Sequence, residues 1–133
     1  MNDDATGSGP QPGLTFELTR EVTAEMSARH LGSGDVGVLA TPAMIAMMEG
    51  ASMQCVQEQL EAGHTTVGYL VNIRHLAPTP IGNEVTVTAK LLEVDRRKLK
   101  FHVEAREGDR VVGEGEHVRV VVDSAAFLDQ SSG

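Results

Sequence analysis

The chain has 133 residues, a formal net charge of −8 and only 3% aromatic residues. This length suits one domain with a single hydrophobic core. The acidic balance argues against binding to nucleic acid through its phosphates, and the scarcity of aromatics argues against base-stacking platforms. The single cysteine, Cys55, rules out an internal disulfide, and no run of eighteen apolar residues indicates a membrane span.

The two ends of the chain differ in composition from the rest. Residues 1–13 are dominated by Gly, Pro, Ser and Asp, and we expect this N-terminal segment to be disordered. It carries neither a basic patch nor an apolar stretch, so it does not read as a secretory signal, and we expect a cytoplasmic protein. Residues 14–129 are predicted to form one domain, and residues 130–133 a loose tail.

The first half of the domain is predicted to be a strand, a connector and one long helix. Residues 14–22 alternate between apolar and polar side chains, which is typical of a strand. Thr41 and Pro42 indicate a helix start, with Thr41 as the N-cap and Pro42 at the first helical position. The helix should run to about Ala62 and stop at Gly63.

Glu49 breaks the pattern of this helix. It projects away from the polar face formed by the later glutamines and glutamates, and its neighbours three and four residues away are mostly apolar. A carboxylate among apolar side chains is costly unless it is paired or protonated. We therefore expect Glu49 to lack an easy exit to water and treat it as a functional candidate. A structural ion pair at an interface is the alternative.

A histidine breaks the pattern of the next strand in a similar way. Alternation over residues 66–76 predicts one apolar face, and His75 is the next member of that series. Glu49 and His75 could meet if the helix packs on this sheet. The predicted face comprises Val67, Tyr69, Val71 and Ile73.

The last third of the chain predicts three further strands, over residues 84–94, 98–107 and 111–123. One apolar helix cannot cover both faces of a sheet. The order of elements therefore predicts an α+β fold in which a curved, antiparallel five-stranded sheet wraps round the helix. Such a sheet leaves a free edge strand, and pairing of edges across a two-fold axis predicts a homodimer.

These residues resemble the hotdog-fold acyl-CoA thioesterases, most closely those of the fluoroacetyl-CoA thioesterase type. The resemblance covers residues 14–123. It rests on a conjunction of short motifs: Arg29-His30-Leu31, Ala40-Thr41, Met48-Glu49, Gly68, His75, and the final-strand run Gly113 to Arg119 (G-E-G-E-H-V-R).

The resemblance implies a site and a reaction. Thr41, Glu49 and His75 would be the catalytic residues, and the active site would lie at the dimer interface. Gly68 would offer a backbone amide to the thioester, and Arg119 would support the site. The implied substrate is an acyl-CoA with a small or medium acyl group, and we expect no cofactor and no metal. The predicted homodimer could pair further into a tetramer.

The sequence departs from that of the fluoroacetyl-CoA enzymes in one stretch and at one further residue. The stretch before the helix, residues 32–38, is shorter here and contains none of their aromatic lid residues, and Gly50 stands where an aromatic follows their glutamate. The resemblance therefore implies thioester hydrolysis in general rather than selectivity for fluoroacetyl-CoA.

Several alternatives stay open at the level of sequence. Glu49 could activate water or attack the carbonyl itself, and Thr41 has a complete structural explanation as an N-cap. Gly68 could mark a bulge, and Arg119 and His117 could be ordinary surface residues on one strand face. The same fold could also host an enoyl-thioester hydratase or dehydratase, or a protein that binds acyl thioesters without turnover.

Overall fold

The computed structural model describes residues 9–132, with side chains through residue 130. The strands are β1 (Thr15–Glu21), β2 (His64–His75), β3 (Glu84–Asp95), β4 (Lys98–Glu107) and β5 (Arg110–Asp123). The helices are a 3₁₀ turn (Ala24–Met26), α1 (Ala28–Leu31), α2 (Thr41–Gln57) and α3 (Ser124–Ser132).

The five strands form one antiparallel sheet in the order β1-β3-β4-β5-β2, with α2 packed against it. The predicted α+β hotdog architecture is confirmed. Strands β1 and β2 are the two edges of this sheet.

The core lies between α2 and the concave face of the sheet. The helix contributes a buried stripe that includes Met44, Met48 and Ala51. The inward faces predicted for β3 and β4 are confirmed, because all eight of their apolar residues are at most 1% exposed. These residues are Val85, Val87, Ala89, Leu91, Leu99, Phe101, Val103 and Ala105.

Both ends of α2 differ from the prediction. Ala40, in extended conformation, is the N-cap, so Thr41 is already helical and its side chain makes no capping bond. The helix also ends at Gln57, five residues early. There the Gln57 side chain donates from Nε2 to the His64 backbone carbonyl (2.9 Å) and accepts at Oε1 from the Thr65 hydroxyl (2.9 Å). These two bonds fix the turn into β2.

The apolar face predicted for β2 is wrong in its first half. The pairing of β2 with β5 slips by one residue between Gly68 and Leu70, which is a β-bulge at Tyr69. Val71, Ile73 and His75 share the concave face as predicted, because they pair with inward positions of β5. The extra residue reverses the alternation before it, so Val67 and Tyr69 fall on the convex face.

The predicted N-terminal segment (residues 1–13) and C-terminal tail (residues 130–133) lie only partly within the described residues. After Asp123 the chain forms α3, a helix that the sequence did not predict. Most of the expected disordered segment, residues 1–8, lies outside the described residues, as does residue 133. Gly13 donates its amide to the Leu91 carbonyl (2.8 Å). No helix within residues 9–132 is both long and apolar enough to cross a membrane.

Candidate active site

Thr41 and His75 meet where α2 begins and β2 ends. The Thr41 Oγ1 lies 2.7 Å from the His75 Nδ1, which is a hydrogen bond. Because Ala40 rather than Thr41 caps the helix, the Thr41 hydroxyl is available for this contact. The structure thus replaces the N-cap explanation of Thr41 with a direct partnership to His75.

The His75 ring is half-buried. Burial lowers the pKa of His75 below its ordinary value, and the backbone of Ala77 partly opposes this shift. The ring is therefore largely neutral near pH 7. Its Nε2 is buried and has no hydrogen-bond partner within the described part of the chain. A neutral imidazole with one free nitrogen is suited to proton transfer.

A cavity of about 320 Å³ opens beside this pair. Its walls come from α1 and the connector that follows, from the start of α2, and from the end of β2 with the turn after it. Among the described residues, no Phe, Tyr or Trp lines the cavity, as expected from the sequence of the connector. Its lining residues are Ala28, Ser33, Val38, Leu39, Thr41, His75, Leu76, Ala77 and Pro78.

Glu49 belongs to a second group, two helical turns further along α2. Its carboxylate faces Gly68 so closely that a Cβ added at Gly68 would lie 2.8 Å from Glu49 Oε2. The same oxygen lies 4.0 Å from Arg119 Nη1. The expectation that Glu49 has no exit to water is wrong for a single chain, because its side chain is 41% exposed. The bare backbone of Gly68 at the sheet edge leaves it open.

Arg119 and His117 are buried on the concave face of β5, which contradicts the idea that they are ordinary surface residues. Arg119 is 7% exposed and His117 is fully buried. Arg119 donates from Nε to the Thr66 hydroxyl (2.7 Å) and from Nη2 to the Thr66 carbonyl (2.9 Å). Sequence reasoning missed His117; its place two residues before Arg119, on the same strand face, was the available signal.

The structure therefore brings the predicted residues together in two groups rather than one. Thr41 and His75 form the first group, and Glu49, Gly68 and Arg119 form the second. Glu49 lies eight positions after Thr41, which corresponds to about 12 Å along the helix axis. Within the described residues, no group of three or more His, Cys, Asp or Glu side chains could hold a metal ion.

Comparison with known proteins places the chain in a family. The profile of the fluoroacetyl-CoA-specific thioesterase family (FlK) matches residues 22–125. The chain is 38% identical over 90 residues to the fluoroacetyl-CoA thioesterase of Streptantibioticus cattleyicolor, covering 68% of this chain and 65% of that protein. It is 36% identical over 66 residues to the L-carnitine dehydrogenase/betainyl-CoA thioesterase of Agrobacterium fabrum, covering 49% of this chain and 14% of that protein.

The solved structures agree with the sequence matches. A structure of the fluoroacetyl-CoA thioesterase FlK superposes with a TM-score of 0.87 at 32% identity, covering 93% of this chain and 96% of the other. The family profile spans well over half of the chain, and the superposition extends over nearly all of it. The chain belongs to the fluoroacetyl-CoA-specific thioesterase family.

Proposed function

We propose that this protein is an acyl-CoA thioesterase that hydrolyses a small or medium acyl thioester to the free acid and CoA. The observation that carries the proposal is the 2.7 Å contact between Thr41 and His75 at the mouth of a cavity. The match to thioesterases supports the same reaction. We further propose that the protein acts in the cytoplasm.

The residues divide the chemistry between them. Hydrolysis adds a water oxygen to the thioester carbonyl, breaks the C–S bond, and returns a proton to the departing CoA thiolate. We assign proton transfer to His75, whose free Nε2 can give or take a proton, and positioning of water or of His75 to Thr41. Glu49 activates water or attacks the carbonyl, with Arg119 holding its carboxylate. The backbone at Gly68 lies beside this carboxylate and offers an amide to the carbonyl oxygen.

The volume of the cavity and the residues that line it favour a site without selectivity for one particular acyl group. The cavity of about 320 Å³ has room for a short or medium chain, and its walls are mostly aliphatic. It lacks the aromatic lid residues of the fluoroacetyl-CoA enzymes. We therefore propose a small or medium acyl group without selectivity for fluoroacetate.

A homodimer through the free edge of β2 would complete the site. No other strand covers this edge in the described residues, and Tyr69, Leu70 and Val71 are 61, 43 and 44% exposed there. In an antiparallel pair of β2 strands centred on Asn72, Val71 of one copy stands opposite Ile73 of the other, and the bulge at Tyr69 then brings Gly68 opposite His75. Glu49 faces Gly68, so each site would combine Thr41 and His75 of one copy with Glu49 of its partner. Association of two such dimers into a tetramer remains compatible with this arrangement.

The reaction is tested first by following thiol release with a chromogenic reagent across acyl-CoAs from acetyl to long-chain and aryl. Release that disappears in the folded Glu49→Ala variant supports hydrolysis at this site. Loss of enoyl absorbance without thiol release would replace the proposal with the hydratase alternative. Tight binding without either reaction would identify a binding protein.

The shared site is tested by mixing two inactive variants. After Glu49→Gln and His75→Ala proteins are unfolded together and refolded, half of the dimers contain one copy of each. If sites form across the interface, one site of every mixed dimer is intact, so about a quarter of the wild-type activity should return. If each chain holds its own complete site, mixing restores nothing. Wild type carried through the same procedure controls for refolding yield.

A further inference from the structure

His117 is a buried titratable group to which the proposed reaction assigns no role. Its ring lies on the concave face of β5, opposite Val71 of β2, and it is fully buried. The Nδ1 lies 2.8 Å from the Leu70 carbonyl oxygen. A carbonyl only accepts, so Nδ1 must carry the hydrogen. In the neutral ring, Nε2 is then an acceptor.

Arg119 supplies the donor that this acceptor requires. Its Nη1 lies 3.2 Å from His117 Nε2. The other two guanidinium nitrogens are already held by the hydroxyl and the carbonyl of Thr66. Nη1 is the nitrogen that faces Glu49, at 4.0 Å from Oε2. Thus Thr66 holds one side of the guanidinium, and His117 holds the atom nearest the carboxylate.

We propose that His117 is a positioning residue for Glu49, acting through Arg119, with its neutral ring holding the guanidinium towards the carboxylate. This inference rests on the proposed function, because it requires Glu49 to take part in thioester hydrolysis. His117 also ties the bulge in β2 to β5 through the Leu70 carbonyl. That second bond fixes the direction of the ring, with Nε2 towards Arg119.

The charges around His117 favour the neutral ring that this role requires. Burial lowers its pKa below the ordinary value, and the positive charge of Arg119 lowers it further. The Leu70 carbonyl and the charge of Glu49, on α2, act in the opposite direction. A protonated ring would lose its acceptor and would place a second positive charge beside the guanidinium.

Two substitutions separate the two hydrogen bonds of the ring. The amide of His117→Gln can reach the place of Nε2 and accept from Arg119, whereas the amide of His117→Asn can replace Nδ1 and donate to Leu70. If His117 acts through Arg119, His117→Asn should lower kcat about 10-fold with little change in KM, and His117→Gln should stay within about threefold of wild type. His102→Gln, on the convex face of β4, is the control and should retain full activity.

A simple packing role would give a different result. His117 also lies near Phe101, with ring centroids 6.4 Å apart, and a residue that only fills this space would lower thermal stability in both variants while leaving kcat unchanged. Equal losses of kcat in the Asn and Gln variants would likewise overturn the assignment to Arg119. If wild type releases no thiol from any acyl-CoA, the proposed function fails and this inference fails with it.

The state of the ring can be measured without any turnover. Long-range ¹H–¹⁵N spectra of the wild type should show His117 as a neutral imidazole protonated at Nδ1, assigned by the loss of its signals in His117→Gln. A ring protonated at Nε2, or at both nitrogens near pH 7, would overturn the proposal even if the variants fold poorly.

Discussion

The two groups of site residues both draw on α2 and β2, and Arg119 of β5 joins the second group, yet they are built differently. Thr41 and His75 form a sparse pair at a cavity, with one hydrogen bond between them and one ring nitrogen that has no partner among residues 9–132. Around Arg119, by contrast, every guanidinium nitrogen is in contact with a named partner, and the guanidinium is nearly inaccessible to water.

This contrast distinguishes side chains that can exchange a proton with the substrate from side chains that can only orient a neighbouring group. An unpaired nitrogen beside a cavity can exchange a proton with a substrate, whereas a saturated, buried cluster fixes the direction of one charged group. Glu49 combines both properties, because its Oε2 lies 4.0 Å from Arg119 Nη1 and its side chain is still 41% exposed. Each prediction below tests one of these two kinds of side chain.

Removing a reacting group should have the largest effect. Glu49→Ala and His75→Ala are each expected to lower turnover by on the order of 10² to 10⁴, the usual contribution of a positioned acid or base. The measurement is kcat for thiol release on the best acyl-CoA, with folding checked by circular dichroism. Full activity in both folded variants would show that the reacting groups lie elsewhere.

The Thr41 hydroxyl should matter less than the ring that it contacts. Thr41→Val keeps the size of the side chain and removes its hydrogen bond to His75, so we expect turnover to fall roughly 10- to 100-fold. Thr41→Ser keeps the hydroxyl and should lose much less. Equal activities in the Val and Ser variants would show that the contact in the structure has no part in the reaction.

A side chain added at Gly68, against the Glu49 carboxylate, should have a smaller effect on turnover. A methyl group at Gly68 would lie 2.8 Å from Glu49 Oε2, so Gly68→Ala should displace the carboxylate and lower kcat about 10-fold.

Gly50→Ala is the matched control, since a Cβ there meets nothing within 4 Å among the described residues. It should keep its activity and gain about 0.5–1 kcal/mol of stability from the helix interior. An unaffected Gly68→Ala enzyme would mean that Glu49 has freedom to move without cost.

The lowered pKa values of His75 and His117 predict how the stability of the fold depends on pH. Burial lowers the pKa of both His75 and His117 from 6.5, so the folded state binds fewer protons than the unfolded chain near and below that pH. The free energy of unfolding should therefore be highest above pH 6.5 and fall as the pH drops through the lowered values.

Urea unfolding at several pH values between 5 and 8 measures this slope. His117 is fully buried and His75 only half-buried, so His117→Gln should remove more of the slope than His75→Gln. A stability that rises with acidity over this range would contradict the expected neutral rings.

Much of the fold could be predicted because apolar side chains report burial directly. The alternation is unbroken through Leu91 in β3 and along β4, both strands are interior to the sheet, and every residue predicted to face inward is buried. One apolar helix with five amphipathic strands leaves few ways to cover one core, so the wrapped sheet followed from the pattern.

The errors in β2 and α2 have a common origin in contacts that a single segment does not reveal. The bulge at Tyr69 adds one residue without changing the alternation of letters, and only the pairing with β5 discloses it. The end of α2 depends on Gln57 binding the backbone of His64 and the side chain of Thr65. Thr41 satisfies the rule for an N-cap, but His75, distant in sequence, holds its hydroxyl.

The candidate site could be predicted only in part for the same reason. Thr41, Glu49 and His75 were recognisable from motifs and from broken apolar faces. Their division into two groups depends on how far apart they lie on α2. His117 looks like any polar residue on a strand, and its role depends on Leu70 and Arg119 meeting it from two directions.

The bulge also has a practical optical consequence. Tyr69 is the single tyrosine of a chain that has no tryptophan. Its ring lies 4.5 Å from the ammonium of Lys98 and is 61% exposed, next to Gly68 on the open edge of β2. The ultraviolet emission of the unlabelled protein thus comes chiefly from one ring, so a second copy docking on that edge would change the emission directly, with no added dye.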